Sequence, residues 1–280
     1  MKNILFPTDF SENAWNALVY ATQLFQRQPC NFHILHAFGR ETYGLDSLTL
    51  LDPDEAFHKV SEKKSKGNME NLLIRLMVEN SNPLHHFTFL SESTFLMNAI
   101  KWTLASHKID MVIMGAKGAT DDSRDTYGKN TVAVTDKVRN CPVMVVPSNA
   151  PCGKLDEIML VTDFKLEVAS LEIDNLKEMA RTQRAQIRIL EKSGTGNPTR
   201  LQRSNKILFL SHLREFDYMI QTLDQTSLST VLHPISIGRN CVLMTFIAHQ
   251  ASFLEKLGLV RSKLQQLGYY PNIPMLALHA

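Results

Sequence analysis

Two groups of residues could together hold an anionic small molecule. The loop Gly115–Gly118 follows the apolar run Met111–Met114, and after nine further residues Gly128 opens a helical segment. Glycine lets backbone N–H groups approach an anion closely, and a helix N-terminus adds unpaired donors and partial positive charge. Asp9 ends another apolar run, which we expect to be the neighbouring strand. The pattern predicts a nucleoside-plus-phosphate site, with purely structural tight turns as the alternative.

Other kinds of chemistry find little support in the sequence. Neither G-x-G-x-x-G nor a G-x-x-x-x-G-K-[ST] phosphate loop is present, and no Ser/His/Asp or Cys/His arrangement is visible. His33 and His36 would point to opposite faces of a strand, so no metal site is expected. Cys141 lies in an apolar strand entry and is interpreted as an inert core thiol. These features favour a binding protein over an enzyme.

Composition narrows the class of protein. The chain has 280 residues, of which 44% are apolar and 21% charged, with a formal charge of +2. This balance argues against a broad nucleic-acid-binding face and against wholesale disorder. The sequence contains no membrane-length apolar run, and its N-terminal residues lack a signal-peptide pattern. Four cysteines without C-x-x-C spacing fit reduced thiols. A cytoplasmic protein that binds neither membrane nor nucleic acid is therefore expected.

Two similar segments recur in the same order and indicate a tandem repeat. Ile4–Phe10 resembles Ile158–Phe164, and Asn140–Val146 resembles Asn272–Leu278. The joint lies near the short Pro/Gly/Ser segment 148–153, so the predicted domains are residues 1–149 and 150–280. The second copy lacks the stretch that follows the second strand of the first copy.

Apolar runs alternate with helical periodicity throughout the first copy, which predicts an α/β fold. The expected architecture is two doubly wound, Rossmann-like domains, each with a five-stranded parallel sheet. Val143–Val146 and Met275–Leu278 are the predicted seam between them. Periodicity alone does not decide whether Ile207–Leu213 is a strand or a helix. Alignment with the first copy favours a helix there and a strand at Asp217–Leu223.

The sequence also resembles a known family. Pro7–Ser11 after the first strand, the spacing of Gly115, Gly118 and Gly128, and Cys141–Val146 at the end are together similar to the universal stress proteins. The resemblance covers both halves, so the chain resembles a tandem universal stress protein. It implies an adenine-nucleotide-binding α/β domain in the cytoplasm, a role in stress responses, and dimerisation through the last strand. For a tandem chain, it implies that the two domains are arranged as an intramolecular pseudo-dimer.

The resemblance also implies a set of site residues. The first-strand end would contact adenine and ribose, the backbone after the second strand would meet adenine, and the glycines and the helix start would hold ribose and phosphates. The implied residues are Pro7, Thr8, Asp9, Ala37, Met114, Gly115, Gly118, Gly128, Lys129, Asn130 and Thr131. Lys129 stands where the family has Ser or Thr, and it would meet a phosphate as a flexible point charge.

Two features depart from the expected site. The stretch Asp121–Asp125 is acidic, and its alternatives are repulsion of a triphosphate, a metal bridge to phosphate, or a solvated loop. In the second copy, the three glycine positions become Ala248, Ala251 and Arg261, while Asp163 persists. A Cβ blocks close backbone approach and strains a left-handed backbone. The second copy is therefore expected not to bind nucleotide and to act as a packing partner.

The leading hypothesis is a non-enzymatic stress regulator that holds ATP or AMP, with or without Mg²⁺, in its first domain. One alternative is a ligand-free interaction module that has lost the site. Another is a slow ATP hydrolase. Pairing of two tandem chains and an unidentified protein partner are left open.

Overall fold

The computed structural model describes residues 1–38, 53–118, 126–151, 153–168, 170–192, 197–223, 228–237, 241–248 and 261–279. The strands are β1 (Lys2–Pro7), β2 (Cys30–Ala37), β3 (His85–Glu92), β4 (Met111–Gly115), β5 (Val143–Val146), β6 (Glu157–Thr162), β7 (Gln186–Lys192), β8 (Tyr218–Leu223), β9 (Val242–Ala248) and β10 (Met275–His279). The helices are α1 (Glu12–Leu24), α2 (Pro53–Glu79), α3 (Leu96–Ser106), α4 (Lys129–Lys137), α5 (Ser170–Gln183), α6 (Arg200–His212), α7 (Leu228–Ile237) and α8 (Lys263–Leu267). No described helix combines the length and apolarity needed to cross a bilayer.

The ten strands of the described residues form one sheet, in the order β3-β2-β1-β4-β5-β10-β9-β6-β7-β8. The predicted α/β class is confirmed, and each half of the chain contributes five strands in the same relative order. The five-stranded sheets predicted for the two halves are instead joined into one, because β5 and β10 hydrogen-bond to each other. Each of these strands would otherwise present an unpaired edge, and pairing satisfies both edges at once.

The junction between the halves is antiparallel, whereas the other neighbouring pairs of described strands are parallel. Met275 lies opposite Val145, Leu276 opposite Met144, and Ala277 opposite Val143. These strands are the predicted seam, and their contact is confirmed.

Helices cover both faces of the sheet and enclose two apolar clusters. One lies under α1, α2, α5 and α6, and the other under α3, α4, α7 and α8. Each cluster contains side chains from both halves, such as Met144 and Leu276 in the first, and Val145 and Met275 in the second. The halves therefore share continuous cores along the seam.

The ambiguous segment of the second half is resolved by the structure. Residues 200–212 form α6, and β8 begins at Tyr218, so the preference for helix followed by strand is confirmed. Its counterpart α2 has 27 residues, against 13 in α6. The shorter helix follows from the missing stretch in this half.

Candidate functional site

The site lies where β1 and β4 end side by side. Ile4 pairs with Met111 and Leu5 with Val112, so the predicted neighbour relation of these strands is confirmed. Beyond the pairing, Pro7 ends β1 and Gly115 ends β4, both at the carboxyl edge. In an open parallel sheet this edge, at a switch in strand order, is where ligands bind.

Asp9 is held in a fixed orientation at this edge. The backbone N–H and hydroxyl of Ser11 donate to Asp9 Oδ1 at 3.1 Å and 2.6 Å. Ser11 is also the N-cap of α1, since its Oγ accepts from the Ala14 N–H at 3.2 Å. Phe10 adopts a left-handed φ of 61°, and its N–H bonds to Thr8 Oγ1 at 3.0 Å. Local hydrogen bonds thus position the carboxylate before any ligand contributes.

The glycine loop, residues Gly115–Gly118, approaches this carboxylate closely. A Cβ at Gly118 would lie 3.0 Å from Asp9 Oδ2, and one at Gly115 would lie 3.3 Å from the Asn13 carbonyl oxygen. Neither glycine has a left-handed φ, and Gly128 has a φ of −61°. The expectation that these positions need a left-handed backbone is wrong. Their lack of a side chain matters because of close approach.

The start of α4 closes the other side of the loop. Gly128 is its N-cap, and the Gly128 N–H bonds to the Ala116 carbonyl at 2.9 Å. Thr131 is 2% exposed and donates its hydroxyl to the Gly115 carbonyl at 3.0 Å, so it braces the loop against the helix. Lys129 and Asn130 are exposed in the first turn. Met114, in β4 directly before Gly115, is buried.

Aromatic side chains flank Ala37, the half-buried last residue of β2. The His36 ring lies 4.5 Å from Phe10 and 6.0 Å from Phe38, between ring centroids. His36 Nδ1 is 2.8 Å from the Ser65 hydroxyl, which is buried. Burial lowers the pKa of His36, and Lys64 adds to this, while the charge of Asp9 opposes it. A neutral imidazole thus borders the crevice.

Comparison with known proteins decides the family. A model of the universal stress protein family matches residues 1–147, which is more than half of the chain. The chain belongs to the universal stress protein family. A search of curated proteins found no match.

Solved structures share the fold of this universal stress protein over nearly its whole length. A universal stress protein from Archaeoglobus fulgidus DSM 4304 has a TM-score of 0.69 at 15% identity, covering 98% of this chain and 97% of that one. A functionally unknown Pseudomonas aeruginosa PAO1 protein reaches 0.56 at 11% identity, covering 100% and 92%. Another protein, from P. aeruginosa UCBPP-PA14 and described as a universal stress protein, reaches 0.54 at 11%, covering 100% and 93%. At these identities the likeness shows the fold alone.

The second half repeats the geometry at its first strand end. Phe164 has a φ of 53°, and its N–H bonds to Thr162 Oγ1 at 3.0 Å, as Phe10 does with Thr8. Here, however, the Asp163 carboxylate accepts from the Lys165 N–H at 3.1 Å and pairs with its ammonium at 3.2 Å. Burial opposes ionisation of Asp163, but these bonds and the Lys263 charge outweigh it and lower the pKa. Lysines of the chain itself thus neutralise this carboxylate.

The glycine positions of the second half differ as predicted. Ala248 is buried at the end of β9, and Arg261 is exposed before α8. Ala251 and the acidic stretch Asp121–Asp125 lie outside the described residues. Within the described part of the chain, no three His, Cys, Asp or Glu side chains are grouped to hold a metal ion.

A buried carboxyl of the second half gives a pH prediction. Glu172, on α5, is 4% exposed, and burial raises its pKa from 4.5 to about 7, against a bond from the His279 N–H. Between these values the folded state binds the proton more strongly, so stability falls as pH rises through this window and stays lower above it. We expect Glu172→Gln to raise the free energy of unfolding at pH 8 by about 1–3 kcal/mol.

Urea denaturation at pH 5 and pH 8 checks this, with Glu70→Gln on the exposed face of α2 as the control. The gain should be smaller at pH 5, where the folded-state carboxyl is protonated. An equal gain at both pH values would contradict the raised pKa.

Several residues of the site were missed by sequence reasoning. The backbone carbonyl of Asn13 lies close to Gly115, and Tyr127 directly precedes Gly128. Tyr269 reaches the glycine loop from the second half. The position of Asn13 in the first turn after Asp9 was a usable signal. No local pattern points to Tyr269, since the contact spans the two halves.

Proposed function

We propose that this universal stress protein binds an adenine nucleotide, ATP or AMP, with or without Mg²⁺, in its first half and acts as a stress regulator. The supporting observation is the close approach of Gly118 to the Asp9 carboxylate. We call the space between Asp9, the glycine loop and the start of α4 the cradle. A single added Cβ would fill it, and such a space suits a ligand that is held by backbone groups. The exposed first turn of α4 lies beside this cradle and offers N–H donors suited to phosphates.

Each side of the cradle suits a different part of the ligand. In this proposal, Pro7, Thr8 and Asp9 contact adenine and ribose, and the Ala37 backbone meets the base. The loop glycines, with Lys129 and Asn130, hold ribose and phosphates. Lys129 supplies charge where the family has a hydroxyl, which favours phosphorylated ligands over adenosine.

We also propose that the protein acts by binding and not by catalysis. The Ser–His contact beside the end of β2, between Ser65 and His36, is buried, with Ser65 1% exposed and bonded to Ser91 at 2.7 Å. Such a serine cannot meet a phosphate from the crevice. A timed phosphate-release assay tests this, and ATP-dependent release that a Gly128→Val variant abolishes would assign slow hydrolysis to the site.

The second half is, in this proposal, a degenerate copy of the first, with domains at 1–149 and 150–280. The matching left-handed Phe10 and Phe164 and the matching strand orders support a duplication. The pairing of β5 with β10 then resembles a dimer interface within one chain. The lysine-neutralised Asp163 supports a copy without nucleotide.

Mass spectrometry of the denatured, freshly purified protein offers a first test. Adenine nucleotide released in proportion to protein supports the proposal, and a cytoplasmic expression host supplies the ligand. Finding none, together with no binding of added ATP, would leave the ligand-free interaction module as the better account.

A further inference from the structure

A segment of the second half lies against the glycine loop of the first. Gly268 caps α8 with a left-handed φ of 88°, and Tyr269 follows it. The Tyr127 hydroxyl donates to the Gly268 carbonyl at 3.2 Å. The Tyr127 and Tyr269 rings meet edge to face, with centroids 5.1 Å apart. Burial, together with Tyr269 and Tyr270, raises the pKa of Tyr127, so its hydroxyl stays a donor.

The same ring also contacts the glycine loop itself. The ammonium of Lys117, which lies between Gly115 and Gly118, is 4.5 Å from the centre of the Tyr269 ring. A cation above an aromatic face is attracted by the ring quadrupole. Tyr269 therefore orients the ammonium group of the residue that directly precedes Gly118.

Tyr269 consequently contacts one residue of the glycine loop and one residue next to the start of α4. Lys117 precedes Gly118, and Tyr127 precedes Gly128, the N-cap of α4. The hydrogen bond from the Gly128 N–H to the Ala116 carbonyl also joins the glycine loop to the start of α4. Because the Tyr269 ring packs against both Lys117 and Tyr127, it limits how far the glycine loop and the start of α4 can separate. In the proposed site, the loop and the helix start are the groups that face a phosphate.

We propose that Tyr269 is a positioning residue through which the second half sets the affinity of the first half for the phosphates of its ligand. The inference rests on the proposed nucleotide function and adds to it a role for the degenerate copy. Tyr269 acts on phosphates and not on the base, because Lys117 and Tyr127 lie on the glycine-loop side, away from Ala37.

The nucleotide series separates this role from general loosening of the fold. Loss of the Tyr269 ring should weaken the binding of ATP most, of AMP less and of adenosine least, since only the phosphates depend on the loop. For Tyr269→Leu we expect about a two- to fivefold loss of ATP affinity, the range of one exposed cation–π contact. Affinity for adenosine should stay the same. Tyr269→Phe keeps the ring and should restore ATP binding.

The experiment is calorimetric titration of the full chain with ATP, AMP and adenosine, with Tyr218→Leu on β8 as the matched control. Lys117→Met completes a double-mutant cycle, in which Tyr269→Leu should add less to a chain that already lacks the ammonium. Equal losses for ATP and adenosine, or full additivity with Lys117→Met, would overturn the inference. A wild-type chain that binds no nucleotide would overturn the proposed function with it, whereas unchanged ATP binding by Tyr269→Leu overturns this inference alone.

Discussion

Gly118→Val should weaken ATP binding by about tenfold or more, which corresponds to at least about 1.4 kcal/mol. The added Cβ would lie 3.0 Å from Asp9 Oδ2. Asp9 cannot turn away without cost, because Ser11 holds its other oxygen with two hydrogen bonds. The added side chain thus both displaces the Asp9 carboxylate and fills the cradle. Calorimetric titration with ATP measures the loss.

Gly67→Ala is the matched control for this substitution. A Cβ at Gly67, in α2, meets nothing within 4 Å, and alanine favours a helix by about 0.5–1 kcal/mol over glycine. We expect unchanged ATP affinity and equal or higher stability. Thermal melts of both variants establish that they fold. Wild-type affinity in a folded Gly118→Val protein would place the ligand elsewhere.

Leu276→Ala should destabilise both halves of the chain together. Leu276 is fully buried in β10, opposite Met144 of β5, within a cluster that both halves share. Removing a buried leucine side chain typically costs about 2–5 kcal/mol, from lost transfer energy and the cavity left behind. Because the cores are continuous across the seam, this loss should reach the first half.

Tryptophan fluorescence can measure whether this loss of stability reaches the first half. Both tryptophans of the chain, Trp15 and Trp102, lie in the first half, so their fluorescence in urea reports the unfolding of that half. Leu276→Ala should lower the midpoint of this transition, although the substitution lies in the second half. Met219→Ala, at a side chain 60% exposed, should change stability by less than about 0.5 kcal/mol. A tryptophan transition that Leu276→Ala leaves in place would show that the halves unfold independently.

The geometry of the candidate site in the first half was largely predictable, because its parts follow directly from strand ends. Asp9 comes just after β1, and Gly115 ends β4, and parallel strands bring their carboxyl ends to one edge of the sheet. The helix start at Gly128 was equally visible as a glycine before helical periodicity. Local chain geometry determined these features, so the sequence contained enough information.

Features that depend on packing between distant segments were not predictable. The glycines avoid contact with Asp9 and Asn13 and do not adopt a left-handed backbone, a distinction that requires coordinates. The single sheet depends on the antiparallel register of Leu276 on Met144. The contact of Tyr269 with Lys117 joins the two halves of the chain. The repeat predicted that β5 and β10 meet, but no pattern of residue types encodes their antiparallel register or the contact of Tyr269 with Lys117.

Titration of the wild-type chain with ATP by calorimetry tests the central proposal most directly. We expect one saturable site per chain, with a dissociation constant below about 1 mM. A single site is expected because Lys165 neutralises Asp163 in the second half. Absence of saturable heat at millimolar ATP, or a stoichiometry of two per chain, would contradict it.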